Sequence, residues 1–212
     1  MQSPEKIIKT YNATAESYAA TRIDELARKP LDRLMLNEFA RLNKDRGICA
    51  DFGCGPGQTT KFLFDAGVKE IVGVDISPEM VKVARKLFSN IQFEKGDLLA
   101  LQYDEEYFAS AVAFYAIVHF DYDQIAEAFK EVNRVLKKTA HFLFSFHVGE
   151  ETVHFDKAND IDVDIDLHFF QTERILKILQ DNKFSIIDTI ERFPYPDVEY
   201  QTKRAYVWAQ KV

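Results

Sequence analysis

A glycine-rich loop is the first segment whose residue types and spacing could do chemistry. The stretch ADFGCGPGQTT, residues 50–60, places Gly53, Gly55 and Gly57 at alternate positions behind a short apolar run. Glycines let a backbone approach a ligand or a neighbouring element closely. The dinucleotide fingerprint G-x-G-x-x-G needs a glycine where Gln58 stands, and no G-K-[ST] follows as a P-loop requires. The loop therefore predicts a ligand held in another way, with a plain strand–helix turn as the alternative.

Acidic residues lie at the ends of three successive apolar runs. Asp51 precedes the glycines, Asp75 closes IVGVD and Asp97 closes FEKGD. In open α/β sheets the ligand lies beyond the carboxyl ends of the strands, where Asp75 can accept both hydroxyls of a ribose. Asp51 would repel a pyrophosphate and attract a cation. The pattern predicts a ligand with a ribose and a positive charge and without phosphate, which S-adenosylmethionine fits.

The segment from Ile48 to Val148 resembles the class I S-adenosylmethionine-dependent methyltransferases, through D-x-G-x-G-x-G, then V-D-x-S, then G-D in that order. The resemblance implies transfer of a methyl group from S-adenosylmethionine to an oxygen, nitrogen or other nucleophile of a small molecule, with S-adenosylhomocysteine as the product. Such a transfer is an in-line displacement that depends on alignment of donor and acceptor. Two alternatives stay open, a non-catalytic S-adenosylmethionine-binding or regulatory protein and a nicotinamide-dependent oxidoreductase.

The resemblance also implies which residues contact the cofactor. Asp51 is expected at its amino group, Asp75 at its ribose hydroxyls and Asp97 at the adenine. The expected contacts in this core are Asp51, Gly53, Cys54, Gly55, Gly57, Asp75, Ile76, Met80, Asp97, Leu98, Tyr115 and Ala116. A looser N-terminal motif, YNATAESYAATR, adds Tyr11, Tyr18 and Arg22 as a cap over the cofactor, with Arg22 on its carboxylate.

Three side chains are candidates for chemistry at the methyl acceptor. His119 follows the fourth predicted strand and His147 ends the fifth, and an imidazole can accept a proton near neutral pH. Tyr115 lies beside them and is a poorer base. We expect His147 to face the acceptor, ahead of His119, with a purely structural role as the alternative for each of the three.

Short apolar runs alternate with amphipathic stretches, as in βαβ units. Predicted strands lie at 48–52, 70–76, 91–97, 109–117, 140–148, 184–193 and 204–212. Predicted helices lie at 3–21, 29–43, 58–67, 77–88, 123–138 and 171–182. The last two strands have no helix between them, so they are expected to pair antiparallel at one edge. The expected fold is a three-layer αβα domain of the α/β class. Its sheet is doubly wound, mostly parallel and seven-stranded, with an antiparallel last strand.

We expect one domain over residues 1–212, in four parts. They are an N-terminal helical cap (1–45), the cofactor-binding core (46–148), a substrate lid (149–170), and the last helix with the antiparallel strand pair (171–212). Within the lid, NDIDVDIDLHFF alternates acidic and apolar residues, which predicts a strand with one acidic face. That face is expected either in solvent or as a negative wall for a cationic substrate.

Composition limits the partners. The net charge is −7 and the hydrophobic content 47%, typical of a soluble globular protein and unsuited to binding a nucleic-acid backbone. No apolar run approaches the length of a membrane span and the N-terminus lacks a signal-peptide pattern. Cys49 and Cys54 are expected as free thiols in the cytoplasm. No metal site is predicted, and the oligomeric state stays open between monomer and homodimer.

Overall fold

The computed structural model describes residues 3–158 and 160–212. Its helices are α1 (Pro4–Arg22), α2 (Pro30–Asn43), α3 (Gln58–Asp65), α4 (Pro78–Leu87), α5 (Tyr122–Val135) and α6 (Thr172–Asp181). Its strands are β1 (Cys49–Phe52), β2 (Ile71–Asp75), β3 (Gln92–Lys95), β4 (Phe108–Phe114), β5 (Leu136–His147), β6 (Thr152–Ala158), β7 (Ile161–His168), β8 (Phe184–Arg192) and β9 (Arg204–Lys211). A short 3-10 turn at Glu25–Arg28 joins α1 to α2.

Seven of the nine described strands form one sheet, in the order β3–β2–β1–β4–β5–β9–β8. The pairings β3–β2, β2–β1, β1–β4 and β4–β5 are parallel. The last strand, β9, is antiparallel to both of its neighbours. The strand order reverses between β1 and β4, which is where open sheets of this kind bind ligands. The predicted doubly wound sheet with an antiparallel last strand is confirmed.

Side chains of β5 alternate between two cores, one on each face of the sheet. Phe142 and Phe144 pack with Phe129 of α5 and with residues of α6, whereas Leu143 packs on the opposite face with Phe39 of α2 and Trp208 of β9. This alternation follows from the period of two along a strand. The expected three-layer αβα arrangement is therefore present.

The two N-terminal helices take different places. Helix α2 belongs to the layer on one face of the sheet, through Phe39. Helix α1 instead packs on α4, where Ala15 and Ala19 contact Met80 and Val83. Because α4 begins at the carboxyl end of β2, α1 is brought to the ligand-binding edge of the sheet.

Two segments differ from the prediction in detail. The helix expected over 123–138 ends at Val135, because the buried Leu136 already pairs with Phe108 as the first residue of β5. Between β5 and α6 the chain forms an antiparallel hairpin of β6 and β7, separate from the main sheet. The hairpin occupies the segment predicted as a substrate lid.

Close packing under the glycine loop predicts a cost for any side chain at Gly73 of β2. A Cβ there would lie 2.5 Å from Cδ1 of Phe93 and 3.0 Å from Sγ of Cys54. We expect Gly73→Ala to lower the free energy of unfolding by about 1–3 kcal/mol, the usual cost of overpacking. Urea unfolding would measure this cost. In a Phe93→Ala background the cost should be smaller by at least ~0.5 kcal/mol, since the clashing Cδ1 and Cε1 atoms are gone. An equal cost in both backgrounds would contradict this account.

Candidate functional site

The loop between β1 and α3 forms the floor of the site. Gly53 and Gly55 adopt positive φ angles of 68° and 53°. A Cβ at Gly53 would lie 2.6 Å from Cβ of Ala116, so this glycine lets the loop contact the segment after β4. A Cβ at Gly55 would meet no protein atom within 4 Å. Gly55 therefore opens onto free space, where a ligand can reach its backbone.

The carboxylate of Asp75, at the end of β2, holds this loop in place. Its Oδ2 accepts the Gly55 N–H at 2.8 Å, and its Oδ1 accepts the Ser77 N–H at 2.9 Å. Burial raises the pKa of Asp75, and the two amide bonds oppose that shift. Each carboxylate oxygen has further lone pairs, so Asp75 can still accept the hydroxyls of a bound ribose.

Asp51 lies at the end of β1, on the other side of the loop. Its Oδ2 accepts the hydroxyl of Thr60 at 2.6 Å. Burial raises the pKa of Asp51 to about 7, a shift that the bond from Thr60 opposes and the nearby Asp75 reinforces. A cation bound beside Asp51 would favour its ionised form and would be held by it.

These groups line a cavity of about 360 Å³, at the lower end of the range for ligand pockets. All of the predicted site residues except Gly57 lie on its wall. They are Tyr11, Tyr18, Arg22, Asp51, Gly53, Cys54, Gly55, Asp75, Ile76, Met80, Asp97, Leu98, Tyr115, Ala116, His119 and His147. Gly57 faces away from the cavity, and a Cβ there would lie 2.8 Å from the ring of Phe93.

Helix α1 closes the cavity from the N-terminal side. Its Asn12 accepts the hydroxyl of Ser77 at 2.8 Å, and that hydroxyl in turn accepts the Met80 N–H at 3.1 Å as the N-cap of α4. Tyr11 and Tyr18 meet edge to face at 6.2 Å, beside Met80. The loose motif that predicted Tyr11, Tyr18 and Arg22 thus places them together, and Asn12 inside it supplies a link that the motif did not predict.

His119 is bonded through both ring nitrogens. Its Nδ1 lies 2.8 Å from the carbonyl oxygen of Asp166 in β7, and its Nε2 lies 2.6 Å from the hydroxyl of Tyr11. The carbonyl can only accept, so Nδ1 carries the proton and Tyr11 donates to Nε2. Burial lowers the pKa of His119 to about 4. His119 therefore joins α1, the segment after β4 and the hairpin through a neutral imidazole.

His147 ends β5 and has a different environment. Its Nδ1 lies 2.7 Å from the hydroxyl oxygen of Thr202, while its Nε2 makes no hydrogen bond to the described residues. Its ring lies 5.2 Å from the ring of Tyr115. Burial, followed by the charge of Arg204, lowers the pKa of His147 to about 3. The ring is thus neutral at physiological pH.

Tyr115 follows β4 directly and has a φ of 57°, which is rare for an aromatic residue. Its amide bonds to the carbonyl of Ser145 at 3.1 Å, and its hydroxyl lies 3.3 Å from that of Tyr206. Burial raises the pKa of Tyr115, so its phenol stays protonated. Its hydroxyl is engaged by Tyr206, and the residue forms part of the cavity wall.

A buried group of charges beside Tyr115 was not predicted from the sequence. We call the five residues Lys29, Tyr115, His147, Glu199 and Arg204 the inner wall, since all line the cavity and are buried or nearly so. The cations lie near the Tyr115 ring, with Lys29 Nζ at 5.5 Å and Arg204 Cζ at 5.9 Å from its centroid. Lys29 precedes α2 and Glu199 lies in the link before β9. No sequence motif marks them, and only the fold brings them together.

The hairpin turns its apolar face to the cavity. The hairpin residues on the cavity wall are Phe155 and Ala158 of β6 and Ile165 and Leu167 of β7. The intervening acidic side chains point elsewhere, and Asp164 forms an ion pair with Lys6 of α1 at 2.7 Å. The acidic face is thus no part of the cavity wall, and the hairpin covers the cavity with hydrocarbon.

Within the described part of the chain, metal-dependent chemistry, cysteine chemistry and a membrane span have less support. No group of three or more His, Cys, Asp or Glu side chains there is placed to hold a metal ion. Both cysteines are free and buried, and burial raises the pKa of the Cys54 thiol. None of the described helices is long and apolar enough to cross a membrane.

Comparison with known protein families gives one match in this region. Residues 49–139 match the family described as "Methyltransferase domain". A curated relative, an uncharacterized methyltransferase of Bacillus subtilis, is 35% identical over 106 residues, which cover 48% of this chain and 41% of the relative. The chain spans about half the length of the first curated relatives it matches.

Solved structures share the whole architecture. Magnesium protoporphyrin IX methyltransferase from Synechocystis, with S-adenosylmethionine bound, has a TM-score of 0.71 at 17% identity and covers 100% of this chain and 99% of its own. The [4+2]-cyclase SpnF has a TM-score of 0.73 at 16% identity, covering 99% of this chain and 97% of its own. At such identities the likeness concerns the fold, which carries more than one chemistry.

The residues of the cavity fit S-adenosylmethionine. The free space over Gly55 would be filled by a Cβ. The Asp75 carboxylate beside it can accept further hydrogen bonds from the hydroxyls of a ribose. Asp51, with its raised pKa, gains from a cationic partner. Asp97 binds the Leu99 N–H through Oδ1 at 2.9 Å, which orients its carboxylate in the turn after β3.

The pKa of Asp51 predicts how ligand affinity changes with pH. Below pH 7 its carboxyl is protonated and loses its attraction for a cation; above pH 7 it is ionised. We expect S-adenosylmethionine to bind several-fold more tightly at pH 8 than at pH 6, because ionisation of Asp51 over that interval outweighs the partial loss of charge from the ligand's α-amino group. Calorimetric titration would measure it. Asp51→Asn is the control, because it removes the titration of Asp51 and retains that of Asp75 and of the ligand's own amino group. Equal pH dependence in both proteins would contradict the prediction.

Proposed function

We propose that this chain, which belongs to the class I S-adenosylmethionine-dependent methyltransferase family, transfers a methyl group from S-adenosylmethionine to a nucleophile of a small molecule. The observation that carries the proposal is the pair of contacts around Gly55. A left-handed glycine opens onto free space, and the carboxylate of Asp75 is bonded to its amide. A plain strand–helix turn would need neither feature.

The proposed cofactor contacts divide between the ends of three strands. Asp51 after β1 holds the amino group, Asp75 after β2 holds the ribose, and Asp97 with Leu98 after β3 holds the adenine edge. Ile76 and Met80 flank the adenine. Arg22 of α1 meets the carboxylate of the cofactor, and Glu25 beside it at 3.7 Å keeps this arginine near the cavity.

The bound cofactor supplies an electrophilic methyl group on a positively charged sulfur. The chain supplies alignment and the exclusion of water. In this proposal Tyr115 and Ala116 lie beneath the reacting centre, and the inner wall meets the acceptor. The hairpin acts as the substrate lid, since its apolar face covers the cavity.

The small size of the cavity favours a small-molecule acceptor over a protein or nucleic acid. The net charge of −7 also disfavours binding to a nucleic-acid backbone. Free thiols at Cys49 and Cys54 favour a reducing compartment such as the cytoplasm.

The function is tested by incubating the protein with S-adenosylmethionine labelled in its methyl group and an extract of cellular metabolites. Label in a small molecule, dependent on the protein, is the expected result. Tight cofactor binding without transfer to any fraction would instead indicate a binding or regulatory protein. Binding of a nicotinamide cofactor in place of S-adenosylmethionine would indicate the oxidoreductase alternative.

Gly55 provides a sharper test of the cofactor site. We expect Gly55→Val to abolish S-adenosylmethionine binding while the fold persists, because the new side chain would project into the cavity rather than into protein. Gly67→Val is the matched control, since Gly67 also has a positive φ, of 109°, but lies at the far end of α3. Calorimetry and circular dichroism would compare the two. Normal binding by the Gly55 variant would indicate that the loop is only a turn.

A further inference from the structure

Hydrogen bonds around Thr202 determine which nitrogen of His147 carries the proton. Arg204 Nη1 donates to the Thr202 hydroxyl oxygen at 3.0 Å, and His147 Nδ1 lies 2.7 Å from the same oxygen. Among the described residues, His147 Nδ1 is the acceptor within reach of the Thr202 hydroxyl hydrogen. The oxygen has a second lone pair, but only the arrangement in which Nδ1 accepts also gives the hydroxyl hydrogen a partner, and it places the proton of the ring on Nε2. His147 presents an N–H donor on the cavity wall.

The described groups of the inner wall include no available base. The protonated phenol of Tyr115 cannot accept a proton at neutral pH, and His147 already holds one on its free nitrogen. Glu199 accepts the Tyr195 N–H at 2.8 Å and is bonded to both terminal nitrogens of Arg192. Although burial opposes it, these bonds hold the pKa of Glu199 below its usual range. His119 is bonded at both nitrogens. The groups of the inner wall therefore suit an acceptor that is a nucleophile without losing a proton to them.

Positive charge is in excess around the inner wall. Within one connected set of ion pairs, four cations face three carboxylates. The cations are Arg22, Lys29, Arg192 and Arg204, and the carboxylates are those of Glu25, Asp32 and Glu199. Arg204 Nε lies 3.1 Å from Glu199 Oε2, but at an angle that leaves its N–H without a hydrogen bond. Because Arg204 is only 2% exposed, this buried donor favours an additional acceptor oxygen nearby.

An apolar surface adjoins the inner wall on the side of the hairpin. Phe155 packs edge to face with Tyr200 at 5.8 Å, and Tyr200 reaches the His147 ring at 6.3 Å. Ile165 and Leu167 extend the same surface along the hairpin. A molecule held at the inner wall would thus have hydrocarbon on the side of the hairpin.

We propose that the methyl acceptor is a small carboxylic acid with an apolar body, bound as its carboxylate through a hydrogen bond from His147 Nε2 and the charges of Lys29 and Arg204. This inference rests on the proposed function and names its substrate class. One carboxylate oxygen forms a bond to the methyl carbon, the carbon–sulfur bond breaks, and its electron pair stays on sulfur. No proton moves, because a carboxylic acid is already ionised at neutral pH. The products are a neutral methyl ester and S-adenosylhomocysteine.

The proton position on His147 can be measured without any acceptor. Nitrogen-15 NMR of the histidine-labelled protein distinguishes a protonated from an unprotonated ring nitrogen, and His147→Gln assigns the signals. We expect Nε2 of His147 to be protonated and Nδ1 unprotonated from pH 6 to pH 9. The titratable and charged side chains that face this ring are the same in the wild type and in His147→Gln. They are Tyr115, His119, Lys29, Glu199, Tyr200 and Arg204. A proton on Nδ1 would overturn the proposal.

The substrate class is tested by the chemical stability of the transferred label. After incubation with methyl-labelled S-adenosylmethionine and a metabolite extract, alkaline hydrolysis releases methanol from methyl esters and leaves ethers and N-methyl groups intact. We expect the label to be alkali-labile with the wild-type protein and absent with Gly55→Val. Alkali-stable label would overturn this proposal and leave the proposed function standing. Label in no fraction would overturn both.

Variants at position 147 distinguish a hydrogen-bond donor from a general base. Their kinetics are measured with the metabolite fraction in which the methyl ester forms. We expect His147→Phe to raise the KM for the acid about 10–100-fold, the effect of losing a hydrogen bond to a charged group. His147→Gln, which keeps an N–H donor, should recover most of this loss. At saturating S-adenosylmethionine, kcat of the wild type should stay level from pH 6 to pH 9. Equal losses in both variants, or a kcat that rises with a histidine-like pKa, would contradict the donor role.

Discussion

A buried carboxylate at the end of β2 is the interaction on which the site depends. Asp75 is 8% exposed and binds two backbone amides, one in the glycine loop and one at the start of α4. Without it, the Gly55 N–H would lose its protein partner, and the loop would lose a hydrogen bond to a charged group. The second amide belongs to Ser77, whose hydroxyl caps α4 and donates to Asn12 of α1. The cofactor loop and the helical cap are thus positioned by the same side chain.

Much of this arrangement could be predicted from the sequence because it depends on local patterns. The apolar runs ending at Phe52, Asp75 and Phe114 are buried along most or all of their length, as continuous hydrophobic strands of a parallel sheet should be. Ser77 followed by Pro78 predicts the start of α4, and the N-cap bond to Met80 is present. The end of α5 could not be predicted in this way. Leu136 continues the helical spacing of α5, but it is buried in the sheet instead, since β4 offers it a pairing partner.

The charged members of the inner wall could not be predicted because they come from distant parts of the chain. Lys29 and Glu199 are 170 residues apart in the sequence, yet their charged atoms lie 3.8 Å apart. Each looks like an ordinary surface charge in the sequence, since charged residues are mostly exposed. Only the return of β9 beside β5 brings Arg204 next to His147, with which it pairs in register. For the same reason the sequence indicated that His147 lies near the ligand but could not indicate its hydrogen-bond partner.

Tyr115 connects the two ends of the cavity through its backbone. A left-handed residue with a large side chain costs on the order of 1–3 kcal/mol, so the surrounding contacts must hold it in place. They do so from three sides, through the Ser145 carbonyl, the Tyr206 hydroxyl and the ring of His147. The left-handed turn brings Ala116 against Gly53, and the Tyr115 ring centroid lies 5.5 Å from Lys29 Nζ and 5.9 Å from Arg204 Cζ. The backbone conformation of Tyr115 therefore sets the distance between the acidic end and the cationic end of the cavity. The acidic end suits a cationic methyl donor, and the cationic end suits an anionic acceptor. Alignment of donor and acceptor is what an in-line displacement requires, and in the proposed reaction the left-handed turn at Tyr115 would set it.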